Sequence, residues 1–212
     1  MPISFQRFGY FAFERSRKTR EALNPRKNVS CASPGNPVPI GTTNNDRYTL
    51  MLSFFTRHQP APSIRNVFLA GLGGLLAIGS VGAYSAYAHT PLIMAPFGAS
   101  CVLLFSLPGS PLSQPANVIG GHFISTLCGM VLRFLFPNEW WAAALGVGLA
   151  IALMSALRVT HPPAGADPLV VFTADPDFSF LVFPVLSGAI ALVAVATLFH
   201  RVSGTTFPMR TG

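Results

Sequence analysis

The residues of this chain that are best suited to chemistry lie in one short stretch, "LRVTHPPAGADPLVVF", residues 157–172. It holds Arg158, His161 and Asp167 among apolar neighbours, in a sequence that is 50% hydrophobic and only 10% charged. Ionisable groups in such surroundings are costly and usually functional. Structural roles are the alternative: a helix cap for His161, a first-turn acid for Asp167 and a span-end arginine for Arg158.

A second pattern, Pro-x-Gly-Ala, occurs twice, and each copy stands where a short apolar helix is predicted to begin. Proline suits the first turn because its missing N–H would have no partner there, and glycine and alanine leave the amides uncovered. Two such helix starts facing each other would offer free N–H groups and positive dipole ends to a small anion. The predicted substrate-binding residues are Pro96, Gly98, Ala99, His122, Arg158, His161, Pro163, Gly165, Ala166 and Asp167.

His122 belongs to this set although it lies in a different apolar segment, "NVIGGHFIS". It is interpreted either as a histidine satisfied by a hydrogen bond between helices or as a gate or proton relay. The sequence has no HExxH, HxxxH, GxSxG or cysteine-pair motif, and it shows no nucleophile beside a base. We therefore predict that the protein is not an enzyme and needs no metal or cofactor.

Composition places these residues in a membrane protein, because an ordinary soluble surface needs far more charge than this chain carries. Ten of the fourteen Lys and Arg residues, but only three of the seven acids, lie in residues 1–65. Basic residues before a first span favour a cytoplasmic N-terminus and anionic lipid as partner, and they argue against nucleic acid. We expect a multi-pass protein of the cell's inner, or plasma, membrane.

Apolar runs recur from residue 66 onward and predict an all-α bundle with about six membrane segments. The predicted spans are 66–88, 92–107, 117–136, 140–158, 162–173 and 179–199. The fifth has about a dozen residues, too few for a ~30 Å hydrocarbon core, so a broken or re-entrant helix is expected. The predicted domains are a disordered basic tail over 1–62, a transmembrane domain over 63–201 and a short tail over 202–212. Residues 1–50 are also interpretable as an extension upstream of a start at Met51.

The six spans divide into two halves of similar sequence. A shift of 67 residues aligns "PFGASCVLLF" (96–105) with "PAGADPLVVF" (163–172), and both halves have a long, a short and a long span. Charges at the span ends favour opposite orientations for the halves, as in the inverted repeats of transporters. Five crossings, with 162–173 re-entrant and the C-terminus outside, are the alternative. Small residues at four-residue intervals predict close helix packing and would also suit a homo-oligomer: Gly121, Ser125 and Gly129 in the third span, and Ala144, Gly148, Ala152 and Ala156 in the fourth.

The stretches "PFGASCVLLF", "SPLSQPANVIGGH" and "THPPAGADPLV" occur here in that order. With them, the chain resembles the HPP family of integral membrane proteins over about residues 65–200, and the tripeptide of that name is His161-Pro162-Pro163. The resemblance implies a transporter or channel for a small inorganic anion. Nitrite is the leading candidate, because cyanobacterial and chloroplast members are associated with nitrite transport. Two alternatives stay open: a membrane-embedded enzyme or metal-site protein that uses His122, His161 and Asp167, and a structural membrane subunit without transport activity.

Overall fold

The chain folds as α-helices joined by short connections in a computed structural model, which describes residues 55–57, 59–89 and 92–209. These described residues contain no strand, which confirms the predicted all-α class. The predicted tail over 1–62 lies almost wholly outside them. The α-helices are α1 Ile64–Ala88, α2 Ala95–Ser106, α3 Pro115–Leu135, α4 Trp140–Ala156, α5 Asp167–Ala174 and α6 Ser187–Ser203. Shorter helical segments are the 3-10 turns Pro111–Ser113 and Pro162–Ala166 and the π-helical segment Leu181–Leu186, which runs directly into α6.

Membrane-crossing length is reached by three helical segments of the described chain: Ile64–Tyr87 in α1, all of α3, and Leu181–Ser203. Helices α2 and α4 are apolar but shorter. Helix α5 has only eight residues and reaches the length of the predicted fifth segment by adding the 3-10 turn before it. The prediction of a polytopic bundle with short, broken members is therefore confirmed, and the number of crossings stays a prediction.

Local sequence explains where several helices begin and end. Ser63 caps α1 by accepting a hydrogen bond from the amide of Asn66, and α2 and α3 each have a proline within their first two positions. Helix α1 ends at His89, whose backbone is left-handed with φ 52°. Helix α6 ends at Gly204 with φ 75°, a conformation that glycine adopts without steric cost.

Helix α3 is packed closely by its neighbours through small residues. A Cβ placed on Gly121 would lie 2.6 Å from Cβ of His161, and one on Gly129 would lie 2.8 Å from Cα of Pro168. Such distances are too short for real side chains, so glycine is required for the 162–168 segment to approach α3. The α3 stripe of small residues thus packs helices, as predicted.

The small-residue stripe of α4 lies outside the packed interior of the described residues. Its four residues are all exposed: Ala144, Gly148, Ala152 and Ala156. The buried face of α4 is offset from it by two positions and consists of Ala142, Gly146, Ala150 and Met154. A helix that is apolar all round carries no sequence signal for which face turns inward. The interior selects the face with Gly146, which contacts Pro168 and Phe172 of α5.

The second Pro-x-Gly-Ala copy begins a 3-10 turn, whereas an α-helix was expected there. In an α-helix the carbonyl of Ala164 would accept from the N–H of residue 168, but Pro168 has none. The Ala164 carbonyl instead accepts from the amide of Asp167 and, at 2.6 Å, from Oγ of Ser125. The turn therefore continues into α5 at Asp167 without a break.

An ion pair joins the ends of α3 and α5. Arg133 in the last turn of α3 donates to Oδ2 of Asp175 at 2.7 Å, just beyond α5. This contact gives the basic residue at the end of α3 an acidic partner. At the other end of the bundle, Arg65 of α1 donates to the carbonyl of Ser203, which ends α6.

Candidate functional site

Five polar side chains with no exposed surface meet inside this apolar bundle: Ser100, His122, Thr126, His161 and Asp167, called here the polar cluster. Four elements supply them, namely α2, α3, the Pro162–Ala166 turn with its cap residue His161, and α5. His122 and Thr126 are four positions apart on α3 and so share one face of that helix.

Four members of the cluster form one continuous hydrogen-bonded chain. Oδ2 of Asp167 lies 2.8 Å from Nδ1 of His122, whose Nε2 lies 2.9 Å from Oγ of Ser100. The same Ser100 oxygen lies 2.8 Å from Nε2 of His161. Nδ1 of His161 lies 2.8 Å from the carbonyl oxygen of Leu112, where the chain ends. Thr126 stands to one side and donates to Oδ2 of Asp167 at 3.2 Å.

The direction of these hydrogen bonds is partly fixed by chemistry. A carbonyl oxygen can only accept, so Nδ1 of His161 carries a proton and donates to Leu112. In neutral His161 the other nitrogen, Nε2, is then an acceptor that faces the Ser100 hydroxyl. Ser100 has a single hydrogen to give, and two further acceptors compete for it: Nε2 of His122 at 2.9 Å and the carbonyl of Pro96 at 3.1 Å. The protonation states of Asp167 and His122 therefore decide whether every bond in the chain is made.

The walls around the chain are apolar and tight. The ring of Phe97 meets the His122 ring edge-on, with 5.2 Å between centroids and 87° between planes. The two histidine rings are also 5.2 Å apart. Gly121 of α3 lies against His161, and a Cβ there would also come within 3.5 Å of Sδ of Met154. These contacts exclude bulk water from the cluster.

Two further side chains of α3 hold the 160–166 backbone in place. Nδ2 of Asn117 donates to the carbonyl of Thr160 at 2.9 Å. Oγ of Ser125 donates to the carbonyl of Ala164 at 2.6 Å. They satisfy carbonyls that the 3-10 turn leaves open, and this fixes His161 relative to His122.

The structure brings together only part of the predicted site. His122, His161 and Asp167 meet in the polar cluster, and Pro163 is buried next to them. In the first copy the Pro96 carbonyl accepts from Ser100 at 3.1 Å. The other five predicted residues lie at or near the surface: Gly98, Ala99 and Arg158 are exposed, and Gly165 and Ala166 are half-buried. Arg158 has φ 60°.

The structural role offered for His161 does not describe it, whereas Asp167 is a first-turn acid and also bonds another helix. His161 is the cap residue of its turn, but its side chain makes no capping hydrogen bond. Asp167 does lie in the first turn of α5, yet its Oδ2 bonds to His122 and Thr126, which belong to α3. Both side chains are therefore committed to contacts between elements.

Sequence reasoning missed Ser100 and Thr126. A signal for Ser100 exists, because the 67-residue shift that aligns the two halves places Ser100 opposite Asp167. His122 bonds both of these aligned residues, one through each ring nitrogen. The contact also corrects the prediction that no nucleophile stands beside a base, since the Ser100 hydroxyl adjoins His122. In the part of the chain that the structure describes, no three His, Cys, Asp or Glu residues are placed to hold a metal ion.

Fold and site together define a multi-pass α-helical membrane protein with a buried polar centre. The HPP transmembrane-region family matches residues 59–208, and the chain belongs to this family. It is 34% identical over 157 residues to one transmembrane protein of Dictyostelium discoideum, covering 68% of this chain and 55% of that protein. A second transmembrane protein of the same organism is 36% identical over 121 residues, covering 53% and 39%. The chain thus spans about half the length, or less, of these curated relatives. No solved structure matches it.

Proposed function

We propose that this protein is a transporter or channel for a small inorganic anion, with nitrite as the leading candidate. The observation that carries the proposal is the polar cluster itself. Two histidines and a carboxyl group with no exposed surface occur inside a membrane-spanning bundle. Ionisable groups at that depth mark ion pathways far more often than they serve packing.

The Pro-x-Gly-Ala copies supply a place for the anion beside this cluster. At Gly98 and at Gly165 an added Cβ would meet no atom within 4 Å, so the backbone there is open to a small ligand. The amides of Phe97 and Ala164 already donate to the carbonyls of Met94 and His161, so the attraction for an anion would come from the positive end of each helical segment. His161, two residues before the second copy begins at Pro163, can add a positive charge when it is doubly protonated.

The test is nitrite flux into liposomes that contain the purified protein, measured against protein-free liposomes across a range of pH. We expect His161→Ala to lower the flux by about tenfold or more, since it breaks the chain at Ser100 and at Leu112. His89→Ala serves as the matched control and should change it little, because His89 only ends α1. Flux equal to that of protein-free liposomes at every pH would reject the proposal.

The geometry favours one second candidate, an intramembrane hydrolase. The contacts follow the order of a serine-hydrolase triad: Ser100 Oγ bonds His122 Nε2, and His122 Nδ1 bonds Asp167 Oδ2. The Ser100 hydroxyl, however, is fully buried and also bonds His161. A fluorophosphonate probe that labels the wild-type protein but not Ser100→Ala would favour the hydrolase, and absence of labelling would favour transport.

The proposal also includes the predicted membrane location, the orientation, the repeat symmetry and the homo-oligomer. The protein would lie in the cell's inner membrane with its basic N-terminal side in the cytoplasm. Its two halves would form an inverted repeat, with the polar cluster between them. The exposed small-residue face of α4 would be available to a homo-oligomer.

A further inference from the structure

We propose that the chain Asp167–His122–Ser100–His161 is a two-position proton switch, and that it makes transport a symport of one proton with one small monovalent anion. The inference rests on the proposed function and adds its coupling ion. It follows from the number of protons that the hydrogen bonds require.

Without an extra proton the chain is incomplete. With Asp167 ionised and both histidines neutral, each histidine donates from Nδ1, to Asp167 or to Leu112. Both Nε2 atoms are then acceptors that face the single hydrogen of Ser100. One of them stays unpaired in a site that excludes water, and the cluster carries a net negative charge. Both features are costly in a membrane interior and repel an anion.

One added proton completes every bond between the four side chains, and it can do so in two arrangements. In both, the Ser100 hydrogen is given to a histidine and not to the Pro96 carbonyl 3.1 Å away, which still accepts the helical N–H of Ser100. In the first, the Asp167 carboxyl group is protonated and donates to His122 Nδ1. His122 Nε2–H then donates to Ser100, and Ser100 O–H donates to His161 Nε2. In the second, His161 carries both ring protons and donates from Nε2 to Ser100. Ser100 now donates to His122 Nε2, and His122 Nδ1–H donates to ionised Asp167.

The two arrangements interconvert by three concerted proton transfers. The proton on Asp167 Oδ2 moves to His122 Nδ1, the proton on His122 Nε2 moves to Ser100 Oγ, and the former hydroxyl proton of Ser100 moves to His161 Nε2. The number of protons is the same before and after. The net effect is to carry one positive charge from Asp167 to His161 without moving a heavy atom far, because each gap is 2.8–2.9 Å.

The second arrangement creates the charge that an anion needs. It places an imidazolium at His161, four residues before Gly165, where an added Cβ would meet no atom within 4 Å. An anion bound there stabilises the proton on His161, and by linkage the proton raises the affinity for the anion. Among the described residues, the buried ionisable side chains besides Asp167, His122 and His161 are His200, which bonds the carbonyl of Leu104, and the thiols of Cys101 and Cys128.

Proteoliposomes that contain the full chain test the coupling. Symport of one proton with nitrite is electroneutral, so inward flux should follow an imposed pH gradient and ignore a potassium–valinomycin membrane potential. A pH dye inside the vesicles should report one proton for each nitrite, after subtraction of the signal of protein-free vesicles. Nitrite flux that follows the membrane potential and ignores the pH gradient would overturn the switch and leave the proposed function standing. Flux no greater than that of protein-free vesicles would overturn both.

Ser100→Ala removes the link between the histidines, and Ser80→Ala is its matched control. Both serine hydroxyls lie within hydrogen-bond distance of the carbonyl four residues earlier, Pro96 for Ser100 and Leu76 for Ser80, but only Ser100 also contacts histidine. We expect the pH-driven component to fall by about tenfold or more in Ser100→Ala and to persist in Ser80→Ala. Equal pH-driven flux in the two variants would overturn the proposal.

Infrared difference spectroscopy provides a readout that needs no flux and no Ser100 variant. Nitrite added to the reconstituted wild-type protein should diminish the C=O band of a protonated carboxylic acid as Asp167 gives up its proton. Sulfate at equal ionic strength should not. The change should be absent from Asp167→Asn and from His161→Gln. A wild-type protein that transports nitrite without any change in this band would contradict the switch.

Discussion

At the scale of single residues, Asp167 shows how the site is held. Its Oδ2 atom receives both the His122 and the Thr126 contacts, while Oδ1 has no hydrogen-bond partner among the described residues. A buried carboxyl group depends on the few bonds it does make. Thr126 is the one hydroxyl in the cluster that bonds Asp167 without belonging to the chain of four, so its role is to orient the acid.

Thr126→Val should therefore destabilise the protein while keeping its shape. The substitution replaces the hydroxyl by a methyl group of similar size, and loss of a buried bond to a carboxyl group costs about 1–3 kcal/mol. Thermal unfolding in detergent should show a lower midpoint for Thr126→Val. Thr126→Ser, which keeps the hydroxyl, should restore most of it. Equal midpoints for wild type and Thr126→Val would mean that the Thr126 bond contributes nothing.

At the scale of elements, the short segments position the site and the long helices enclose it. Helix α2 brings Ser100 to the cluster, and the 3-10 turn with α5 brings His161 and Asp167. Neither short segment reaches membrane-crossing length by itself. Irregular segments are tolerated at membrane depth only where protein covers them. Helix α3 covers the 3-10 turn, because its glycines let the two elements pack closely.

Alanine substitutions at Gly121 and Gly148 should have contrasting effects on the stability of the protein. Gly121→Ala puts a methyl group 2.6 Å from Cβ of His161, so α3 and the turn must separate. We expect a loss of about 1–3 kcal/mol in stability and a marked loss of nitrite flux. Gly148→Ala meets nothing within 4 Å and replaces a helical glycine, so it should be neutral or stabilising by about 0.5–1 kcal/mol.

Unfolding midpoints of the two variants, measured side by side, check this. If Gly121→Ala proved as stable as Gly148→Ala, the close approach of the turn to α3 would be disproved.

The pattern of apolar residues predicted where the helices lie, but it did not predict which face of α4 turns inward. Apolar runs located the helices of the described residues to within a few positions, because length and apolarity are properties of a segment alone. The inward face of α4 was not predictable, since small apolar residues cover both of its sides. The 3-10 form of residues 162–166 depends on Pro168. Because proline has no N–H, Pro168 cannot donate to the carbonyl four residues earlier, and this effect is not visible within the 162–166 sequence itself.

The sequence identified the ionisable residues of the site, but it did not identify which side chains they contact. His122, His161 and Asp167 stand out because they are ionisable groups in apolar sequence. Ser100 does not, since a serine inside an apolar helix usually bonds its own backbone, and Ser100 does this too. Its contacts with two histidines arise only when α2, α3 and the turn pack together, which composition does not report.

At the scale of the whole molecule, the polar cluster joins the two halves of the sequence. Ser100 and His122 come from the first half, and His161 and Asp167 from the second. The aligned positions Ser100 and Asp167 lie on opposite nitrogens of one imidazole ring, as expected if the halves face each other across it. The inverted orientation of the halves stays a prediction, and it requires six crossings in place of five.

The last segment, Leu181–Ser203, is long enough to cross the bilayer. Its two ends must then lie on opposite sides. Phe178 is an exposed position before it, and Thr206 is an exposed position after it. In a background with Cys31, Cys101 and Cys128 replaced by alanine, we expect a membrane-impermeant maleimide to label only one of Phe178→Cys and Thr206→Cys in sealed, oriented vesicles.

The side that is labelled separates the two arrangements. Six crossings with a cytoplasmic N-terminus place Thr206 in the cytoplasm and Phe178 outside, because positive charge such as Arg201 favours the inner side. Five crossings with a re-entrant fifth segment reverse this assignment. With the N-terminus in the cytoplasm, right-side-out vesicles that label Thr206→Cys and not Phe178→Cys would therefore rule out the inverted repeat, because the last segment would then cross the membrane in the same direction as its counterpart α3.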